Sequence, residues 1–257
     1  MFDDTFNVTR EQLRATPFAQ IDHVEQTRST NEDIAAILGM PGSAGRTIVT
    51  DLQSHGTGRR GRIWVAHPGA SLLFTTALPA PVPVAYLWSV TLWTGLVVAR
   101  ALHSHGIPVE LRWPNDLLLR ESKLAGILCL SRVIGAQAWV GCGVGINLVR
   151  NAAMASMISP EPAFCDDIAH VERAVLLASI LRVMNEHLEL LAQPLQIRSQ
   201  WEEAANLIGS TYRILRDGED HPFDAEVLGM TEDGSLRVHR NNGANEIVTL
   251  GDCRILR

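Results

Sequence analysis

A short glycine-rich segment, G-T-G-R-R-G-R at residues 56–62, combines a permissive backbone with concentrated positive charge. Glycines let backbone amides approach an anion closely, and the guanidinium groups of Arg59, Arg60 and Arg62 suit carboxylate or phosphate. The segment also matches the letters of the dinucleotide fingerprint. That fingerprint opens a helix and is followed by an acid about 20 residues later, whereas here the next acid is Glu110. We therefore predict an anion-binding loop of another kind.

A second polar cluster, R-W-P-N-D at residues 112–116, follows a short predicted strand. Pro114 ends that strand because it has no amide hydrogen to donate. Asn115 and Asp116 offer oxygen atoms suited to Mg²⁺, a ribose or an amide, although an ordinary Asx turn would explain them equally. Lys123, at the start of K-L-A-G-I-L, is either a surface lysine at a hairpin or a single cation at the mouth of the sheet.

The elements that must position these residues mix strands and helices. We predict a helix over residues 29–38, capped by Ser29 or Thr30, and further helices over 84–102 and 172–191. Strands are predicted over residues 47–52, 71–78, 109–113 and 138–148, with a hairpin joining 117–119 to 124–130. Because strands and helices do not alternate regularly, the pattern favours an α+β fold over a doubly wound sheet.

The pattern changes after Gly209, where short alternating runs are separated by D-G and N-G dipeptides. These dipeptides favour hairpin turns, so the segment predicts a small antiparallel barrel or sandwich. So small a core is marginal alone and should pack against the larger domain. We therefore divide the chain into a larger domain at residues 1–208 and a C-terminal module at residues 209–257.

Composition limits the classes of function. The 257 residues carry a formal charge of −6, which argues against a general nucleic-acid binder, yet residues 51–123 hold seven basic and four acidic residues. The uncharged run over 63–99 contains prolines and polar residues, and we interpret it as a strand and a buried helix rather than a membrane span. The first ten residues show no secretory signal. The four cysteines, Cys129, Cys142, Cys165 and Cys253, form no C-x-x-C pair and are interpreted as thiols of a reducing cytoplasm.

Five motifs occur in order: S-T-N at 29–31, Q-x-x-G-x-G-R-x-G-R-x-W at 53–64, R-W-P-N-D at 112–116, K-L-A-G-I-L at 123–128 and G-V-G-I-N at 143–147. Together they resemble the biotin protein ligases, strongly over residues 21–150 and more loosely in the C-terminal module. The resemblance implies an α+β catalytic domain with a mixed sheet, followed by a small SH3-like β-barrel.

The resemblance also implies a two-step reaction. A biotin carboxylate attacks the α-phosphate of ATP to give biotinyl-5'-AMP, and a lysine amine of a biotin carboxyl carrier protein then attacks the mixed anhydride. Positioning and electrostatic stabilisation would carry the rate, since no enzyme nucleophile is needed. By resemblance the catalytic residues are Lys123, Arg59 and Arg62. The biotin-binding residues would be Ser29, Thr30, Asn31, Gln53, Gly56, Thr57, Gly58, Arg59, Lys123 and Gly126. The ATP-binding residues would be Arg59, Arg62, Trp64, Asn115, Asp116 and Asn147, with Asp116 also holding Mg²⁺.

Partners follow from the same resemblance. The carrier would be a subunit of acetyl-CoA carboxylase or a related carboxylase, the enzyme would be cytoplasmic, and it could form a homodimer. Family members that act as repressors have a helix-turn-helix domain before the catalytic domain, and the residues before the first catalytic strand leave no room for one. We therefore expect no nucleic-acid partner.

One position departs from the family pattern. Between Gly56 and Gly58 the family normally has Arg or Lys, and here it has Thr57. A hydroxyl cannot replace a cation beside an anhydride, so either Arg60 or another cation compensates, or the adenylate is held more weakly. Two alternatives stay open: a lipoate or octanoate ligase or transferase of the same fold, and a non-catalytic sensor of biotin or its adenylate.

Overall fold

The computed structural model describes residues 6–151, 155, 158–217, 219–249 and 253–256, with no side-chain description for Val8 and residues 253–256. The helices are α1 (Asn7–Gln12), α2 (Thr30–Ile37), α3 (Leu87–Ser104), α4 (Arg173–Glu186) and α5 (Pro194–Ala204). The first strands are β1 (Ile21–Thr27), β2 (Thr47–Gln53), β3 (Ser71–Ala77), β4 (Val82–Pro83), β5 (Glu110–Arg112) and β6 (Asp116–Leu119). The remaining strands are β7 (Ser122–Ile134), β8 (Gln137–Asn147), β9 (Thr211–Arg216), β10 (Phe223–Met230), β11 (Leu236–Arg240), β12 (Asn245–Val248) and β13 (Cys253–Leu256).

The larger sheet has the strand order β1-β2-β3-β8-β7-β6-β5. Strand β4 pairs with the first residues of β8, Gln137 and Ala138. Strands β1 and β2 are parallel, and the other neighbours are antiparallel. A parallel pair needs a crossover, which α2 supplies between β1 and β2. The mixed sheet and the α+β class are therefore confirmed.

Alternate residues of β8 face different layers of the fold. Val140, Cys142, Val144 and Ile146 belong to the main hydrophobic core, which includes α3, α4 and α5. Trp139 instead packs with Ile34 and Leu38 of the α2 region in a separate cluster. Because successive strand side chains point to opposite faces, α2 and the three longer helices lie on opposite sides of the sheet.

The C-terminal strands form a second sheet with the order β12-β11-β10-β9-β13. Its apolar side chains, including Tyr212, Val227 and Val238, belong to the same hydrophobic core as the larger sheet. Packing against the larger domain is therefore confirmed. A closed barrel is not, since β12 and β13 lie at the two ends of the described strand order.

Three local expectations need correction. Ser29 occupies the N-cap of α2 but makes no side-chain capping bond, and the amide of Thr30, the first helical residue, donates to Gln53 Oε1. The helix predicted over 172–191 ends at Glu186 and continues as a 3-10 helix, Leu188–Ala192. The hairpin strands are longer than predicted, because β7 and β8 pair as far as Ile134 and Gln137.

Helix α3 explains the long uncharged run. Within the described residues, Val84–Ser104 is the single segment long and apolar enough to cross a membrane by length and composition. In this fold 61% of that window is buried. Trp93, at its centre, is fully buried and donates from Nε1 to the His187 carbonyl at 2.9 Å. The contacts are those of a core helix.

Candidate active site

A cavity of about 270 Å³ opens between the start of α2, the end of β2, the glycine-rich loop and the paired strands β7 and β8. Three cationic side chains line it: Arg59, Arg62 and Lys123. No aspartate or glutamate is among the described residues that line it. The cavity is therefore suited to an anionic ligand.

A hydrogen-bonded chain links three neutral side chains that line the cavity, Thr30, Asn31 and Gln53, through the buried Thr75. Asn31 Nδ2 donates to the Leu128 carbonyl at 3.1 Å, which leaves Asn31 Oδ1 to accept from the Thr75 hydroxyl at 2.7 Å. Because that proton is used, Thr75 Oγ1 can only accept from Thr30 Oγ1 at 2.8 Å, and the one Thr30 hydroxyl proton is shared between Thr75 and Gln53 Oε1 at 3.2 Å. The Thr30 amide donates to Gln53 Oε1 at 2.9 Å. The chain fixes which atoms are left to donate to, or accept from, a polar neutral ligand.

The glycine-rich loop is folded as a small hairpin. Gly58 N donates to the Arg62 carbonyl at 2.7 Å, Trp64 N donates to the Gly56 carbonyl at 2.8 Å, and Thr57 bridges to Ile63. Arg59 and Arg62 line the cavity from this hairpin, whereas the Arg60 guanidinium binds the Asp217 carboxylate. Arg60 therefore does not supply the cation missing at Thr57.

Glycines on one face of β8 make room for the residues of the site. A Cβ at Gly143 would lie 2.2 Å from Asn31 Oδ1, and one at Gly145 would lie 2.8 Å from Trp64 Cε2. Gly145 pairs in register with Gly126 on β7, where a Cβ would lie 3.0 Å from both Trp64 Cζ3 and Lys123 Nζ. The indole thus lies on a floor of two paired glycines. Its Nε1 is buried and has no acceptor among the described residues.

Lys123 is the only lysine of the chain, since the other 21 of the 22 Lys and Arg residues are arginines. Its Nζ lies 2.6 Å from Asp116 Oδ1 and 5.5 Å from the centroid of a Trp64 ring. The side chains of Lys123 and Asp116 are 23% and 13% exposed. This ion pair holds the ammonium group at the edge of the cavity.

Two asparagines follow the strands that carry the site. Asn115 Nδ2 donates to the Ile127 carbonyl at 2.7 Å, which ties the R-W-P-N-D turn to β7. Asn147, at the end of β8, donates to the Ala163 carbonyl at 3.2 Å. Both line the cavity.

Asp51 anchors the end of β2, two residues before Gln53. It accepts from His23 Nε2 at 2.9 Å and from Arg173 Nη2, and its carbonyl accepts from the Gly69 amide at 3.1 Å. Burial alone would raise the pKa of Asp51, but the hydrogen bonds from His23 and Arg173 lower it below its ordinary value. The chain on both sides of the glycine-rich loop is therefore fixed to β1 and α4.

The fold brings together nearly all residues predicted for the site. The predicted residues that line the cavity are Ser29, Thr30, Asn31, Gln53, Thr57, Gly58, Arg59, Arg62, Trp64, Asn115, Lys123, Gly126 and Asn147. Gly56 and Asp116 do not line it. Gly56 is buried behind Gln53, where a Cβ would lie 3.0 Å from Gln53 Nε2, and Asp116 holds Lys123.

Thr75 and the segment near residues 158–162 belong to the site although no motif in the sequence marks them. Thr75 is fully buried on β3 and links Thr30 to Asn31. Its signal was a pair of hydroxyls, Thr75 and Thr76, in an otherwise largely apolar strand, because a hydroxyl is expensive to bury without a partner. Ile158, Ser159, Pro160 and Pro162 line the cavity from a segment with no recognisable motif.

The donor set does not form a resident magnesium site. The Asp116 carboxylate is neutralised by Lys123 and lies outside the cavity lining. Among the described residues, no group of three or more His, Cys, Asp or Glu side chains is placed to hold a metal ion. Mg²⁺ usually keeps several waters and is bound through one or two carboxylates together with substrate phosphates, so a nucleotide would have to supply most of its ligands here.

Comparison with known proteins shows which proteins this chain resembles. Residues 24–147 match the model of the biotin/lipoate A/B protein ligase family. The bifunctional ligase/repressor BirA of Escherichia coli is 30% identical over 208 residues, covering 79% of this chain and 63% of that protein. The chain thus spans less than two thirds of that relative's length. The biotin--[acetyl-CoA-carboxylase] ligase of Mycobacterium tuberculosis is 29% identical over 264 residues, covering 96% of this chain and 94% of that protein.

The fold has close counterparts among solved structures. The biotin protein ligase of Aquifex aeolicus, in complex with biotin and ATP, superposes with a TM-score of 0.73 at 22% identity, covering 93% of this chain and 99% of that one. At this identity the likeness concerns the fold. It extends over the C-terminal sheet as well as the larger one.

Proposed function

We propose that the chain, whose residues 24–147 match the model of the biotin/lipoate A/B protein ligase family, is an ATP-dependent biotin protein ligase. It activates biotin to biotinyl-5'-AMP and transfers biotin to a lysine of a biotin carboxyl carrier protein. The observation that carries the proposal is that one cavity is lined by two kinds of polar group. Arg59, Arg62 and Lys123 are cationic, and Thr30, Asn31 and Gln53 are neutral and belong to one hydrogen-bonded chain.

The neutral groups suit the ureido ring of biotin. A cyclic urea presents one carbonyl acceptor and two N–H donors, and Thr30, Asn31 and Gln53 offer matching hydroxyl and amide groups with fixed orientations. Ser29, which also lines the cavity, adds a hydroxyl. The dithiolane and alkyl chain of lipoate would leave these polar groups without partners, which disfavours the lipoate alternative.

The cationic groups suit the activation step. A carboxylate oxygen of biotin attacks the α-phosphorus of ATP, the bond from that phosphorus to the bridging oxygen breaks, and pyrophosphate leaves. Both reactants are anionic, so Arg59, Arg62 and Lys123 would reduce their repulsion and stabilise charge on the α-phosphate oxygens. The Asp116 carboxylate holds the ammonium of Lys123 in place, and Trp64, Asn115 and Asn147 would contact the nucleotide.

The same groups serve the transfer step. The carrier lysine amine attacks the acyl carbon of the adenylate, the amide bond forms, AMP leaves, and the amine releases a proton. The negative charge that develops on the acyl oxygen and on AMP lies beside the same cations. ATP would enter as its magnesium complex, with Mg²⁺ coordinated by the nucleotide rather than by a site built into the protein.

Further parts of the proposal concern partners and organisation. The carrier is a subunit of acetyl-CoA carboxylase or a related carboxylase, and the protein acts without a nucleic-acid partner, with homodimer formation as an option. We propose a catalytic domain at residues 1–208 and an SH3-like module at residues 209–257. A cytoplasmic location is supported by Cys129, Cys142 and Cys165, which are free thiols.

Ligand-dependent thermal stability tests the assignment of the substrate. With ATP present, biotin should raise the melting temperature, because a ligand that binds the native state stabilises it. Lipoate at the same concentration should have little effect. A larger shift with lipoate would replace the biotin assignment by the lipoate one. A shift with biotin but no biotin-dependent exchange of pyrophosphate into ATP would indicate the sensor alternative.

A further inference from the structure

The three arginines of the glycine-rich loop point to two different places. Arg59 and Arg62 line the cavity. Arg60, between them, makes two parallel contacts with Asp217 of the C-terminal module, from Nη1 to Oδ1 and from Nη2 to Oδ2, the latter at 2.7 Å. A fork of this kind fixes direction as well as distance, which a single surface contact does not.

Arg60 occupies the tip of the loop hairpin. Its backbone has φ 59° and ψ 31°, in the left-handed region that favours glycine, and the next residue, Gly61, also has a positive φ of 70°. The hairpin closes below this tip through the bond from Gly58 N to the Arg62 carbonyl. A contact that fixes Arg60 therefore also stabilises the turn at which the loop reverses direction.

Strand β9 connects this contact to the other ligand-binding turn. Asp217 directly follows β9, and Tyr212 lies near its start. The Trp113 amide donates to Tyr212 Oη at 3.1 Å, and the Arg112 guanidinium lies 3.6 Å from the centroid of the Tyr212 ring. One strand of the C-terminal module thus binds the R-W-P-N-D turn at one end and the glycine-rich loop at the other.

We infer that Asp217 is a positioning residue that holds the glycine-rich loop closed over the cavity, so that the C-terminal module sets how long the acyl-adenylate is retained. The second half of this inference rests on the proposed function, whereas the loop contact does not. The side chains of Arg60 and Asp217 are 28% and 48% exposed, so water competes for the pair. Such a pair is weak enough to open for release of product.

Hydrogen–deuterium exchange of the full chain without ligand tests the loop contact. Asp217→Asn should speed exchange in residues 56–64, where the amides of Gly58 and Trp64 are bonded within the hairpin. The matched control is Asp22→Asn, which breaks a half-exposed pair with Arg46 far from the loop and should leave that exchange unchanged. Equal exchange in Asp217→Asn and the unchanged protein would overturn the inference, whatever reaction the protein catalyses.

The release rate of biotinyl-5'-AMP from its preformed complex tests the consequence. Asp217→Asn and Arg60→Gly should both release it about two- to fivefold faster, while the rate of biotin-dependent pyrophosphate exchange changes less than twofold. Glycine adopts positive φ readily, so Arg60→Gly removes the ion pair without disfavouring the turn. An effect of this variant is therefore due to the lost ion pair. The exchanged pair Arg60→Asp with Asp217→Arg should recover slow release. Faster loop exchange with unchanged release would refute the control of retention, and no pyrophosphate exchange in the unchanged protein would refute the proposed function instead.

Discussion

Lys123 Nζ lies 2.6 Å from Asp116 Oδ1, so the single lysine of the chain is held by the carboxylate that the sequence had suggested for magnesium. In the antiparallel pair β6–β7 Lys123 lies opposite Leu118 and Asp116 lies opposite Gly126, so the Lys123 side chain reaches along β7 to Gly126, where a Cβ would lie 3.0 Å from its Nζ. The ammonium lies at the cavity edge, and the carboxylate lies behind it. The pair positions a cation, which is a different task from binding a metal.

Removal of that cation should stop activation. We expect Lys123→Ala to lower biotin-dependent pyrophosphate exchange at least about a hundredfold, because a preorganised charge in a partly buried site is difficult to replace. Asp116→Asn keeps the ammonium and loses only its anchor, so the rate should fall about tenfold. Thermal unfolding of both variants serves as the control for folding. If Asp116→Asn lowered the rate as much as Lys123→Ala, and added Mg²⁺ reduced that defect, Asp116 would be a metal ligand instead.

The paired glycines below Trp64 lead to a second prediction. A Cβ at Gly145 would lie 2.8 Å from Trp64 Cε2, so Gly145→Ala must displace the indole. We expect about tenfold weaker ATP binding, measured by titration calorimetry. Gly141→Ala is the matched comparison on the same face of β8, where the new methyl group meets Ile34 instead. It should lower stability by a similar amount with little effect on ATP binding, and equal ATP defects in the two variants would show a general distortion of the strand.

A substitution of Thr75 that keeps the volume of the side chain should still change the affinity for biotin. Thr75→Val keeps the volume but leaves Asn31 Oδ1 and Thr30 Oγ1 without their buried partner. An unsatisfied buried oxygen costs about 1–3 kcal/mol, which favours a turned Asn31 amide, and biotin binding should weaken about tenfold or more because Asn31 is no longer oriented for it. Thr75→Ser restores the hydroxyl and should bind nearly as the unchanged protein does. Equal affinity of the valine and unchanged proteins would mean that the chain of hydrogen bonds does not orient Asn31.

Thr57 stands where the biotin protein ligases normally have Arg or Lys, and a substitution there should tighten adenylate binding rather than weaken it. Thr57 lines the cavity, and Arg60 is bound to Asp217, so the loop lacks a cation at this place. Thr57→Arg should slow release of biotinyl-5'-AMP several-fold, as followed by trapping the released adenylate, because the added guanidinium can bind its phosphate. An unchanged release rate would show that Arg59, Arg62 and Lys123 already suffice.

Local sequence patterns predicted the helices, strands and motif residues well. They predicted the contacts between distant elements less well. The motif residues specified most of the cavity, because anion-binding arginines, a strand-ending proline and strand glycines have short-range signatures. The contact between Arg60 and Asp217 had none, since 157 positions separate the two residues and the pairing depends on how the second sheet packs. The same holds for Asp116, whose oxygen atoms suited a metal until the hairpin placed Lys123 beside them. Thr75 was hidden because its role depends on α2 lying over β3.

The mass of the carrier after reaction tests the central claim most directly. The protein is mixed with biotin, MgATP and a biotin carboxyl carrier domain, and intact masses of both chains are measured. We predict one added biotin on the carrier and none on the enzyme, whose only lysine is held by Asp116. An unmodified carrier, in conditions where a known biotin ligase modifies it fully, would contradict the account.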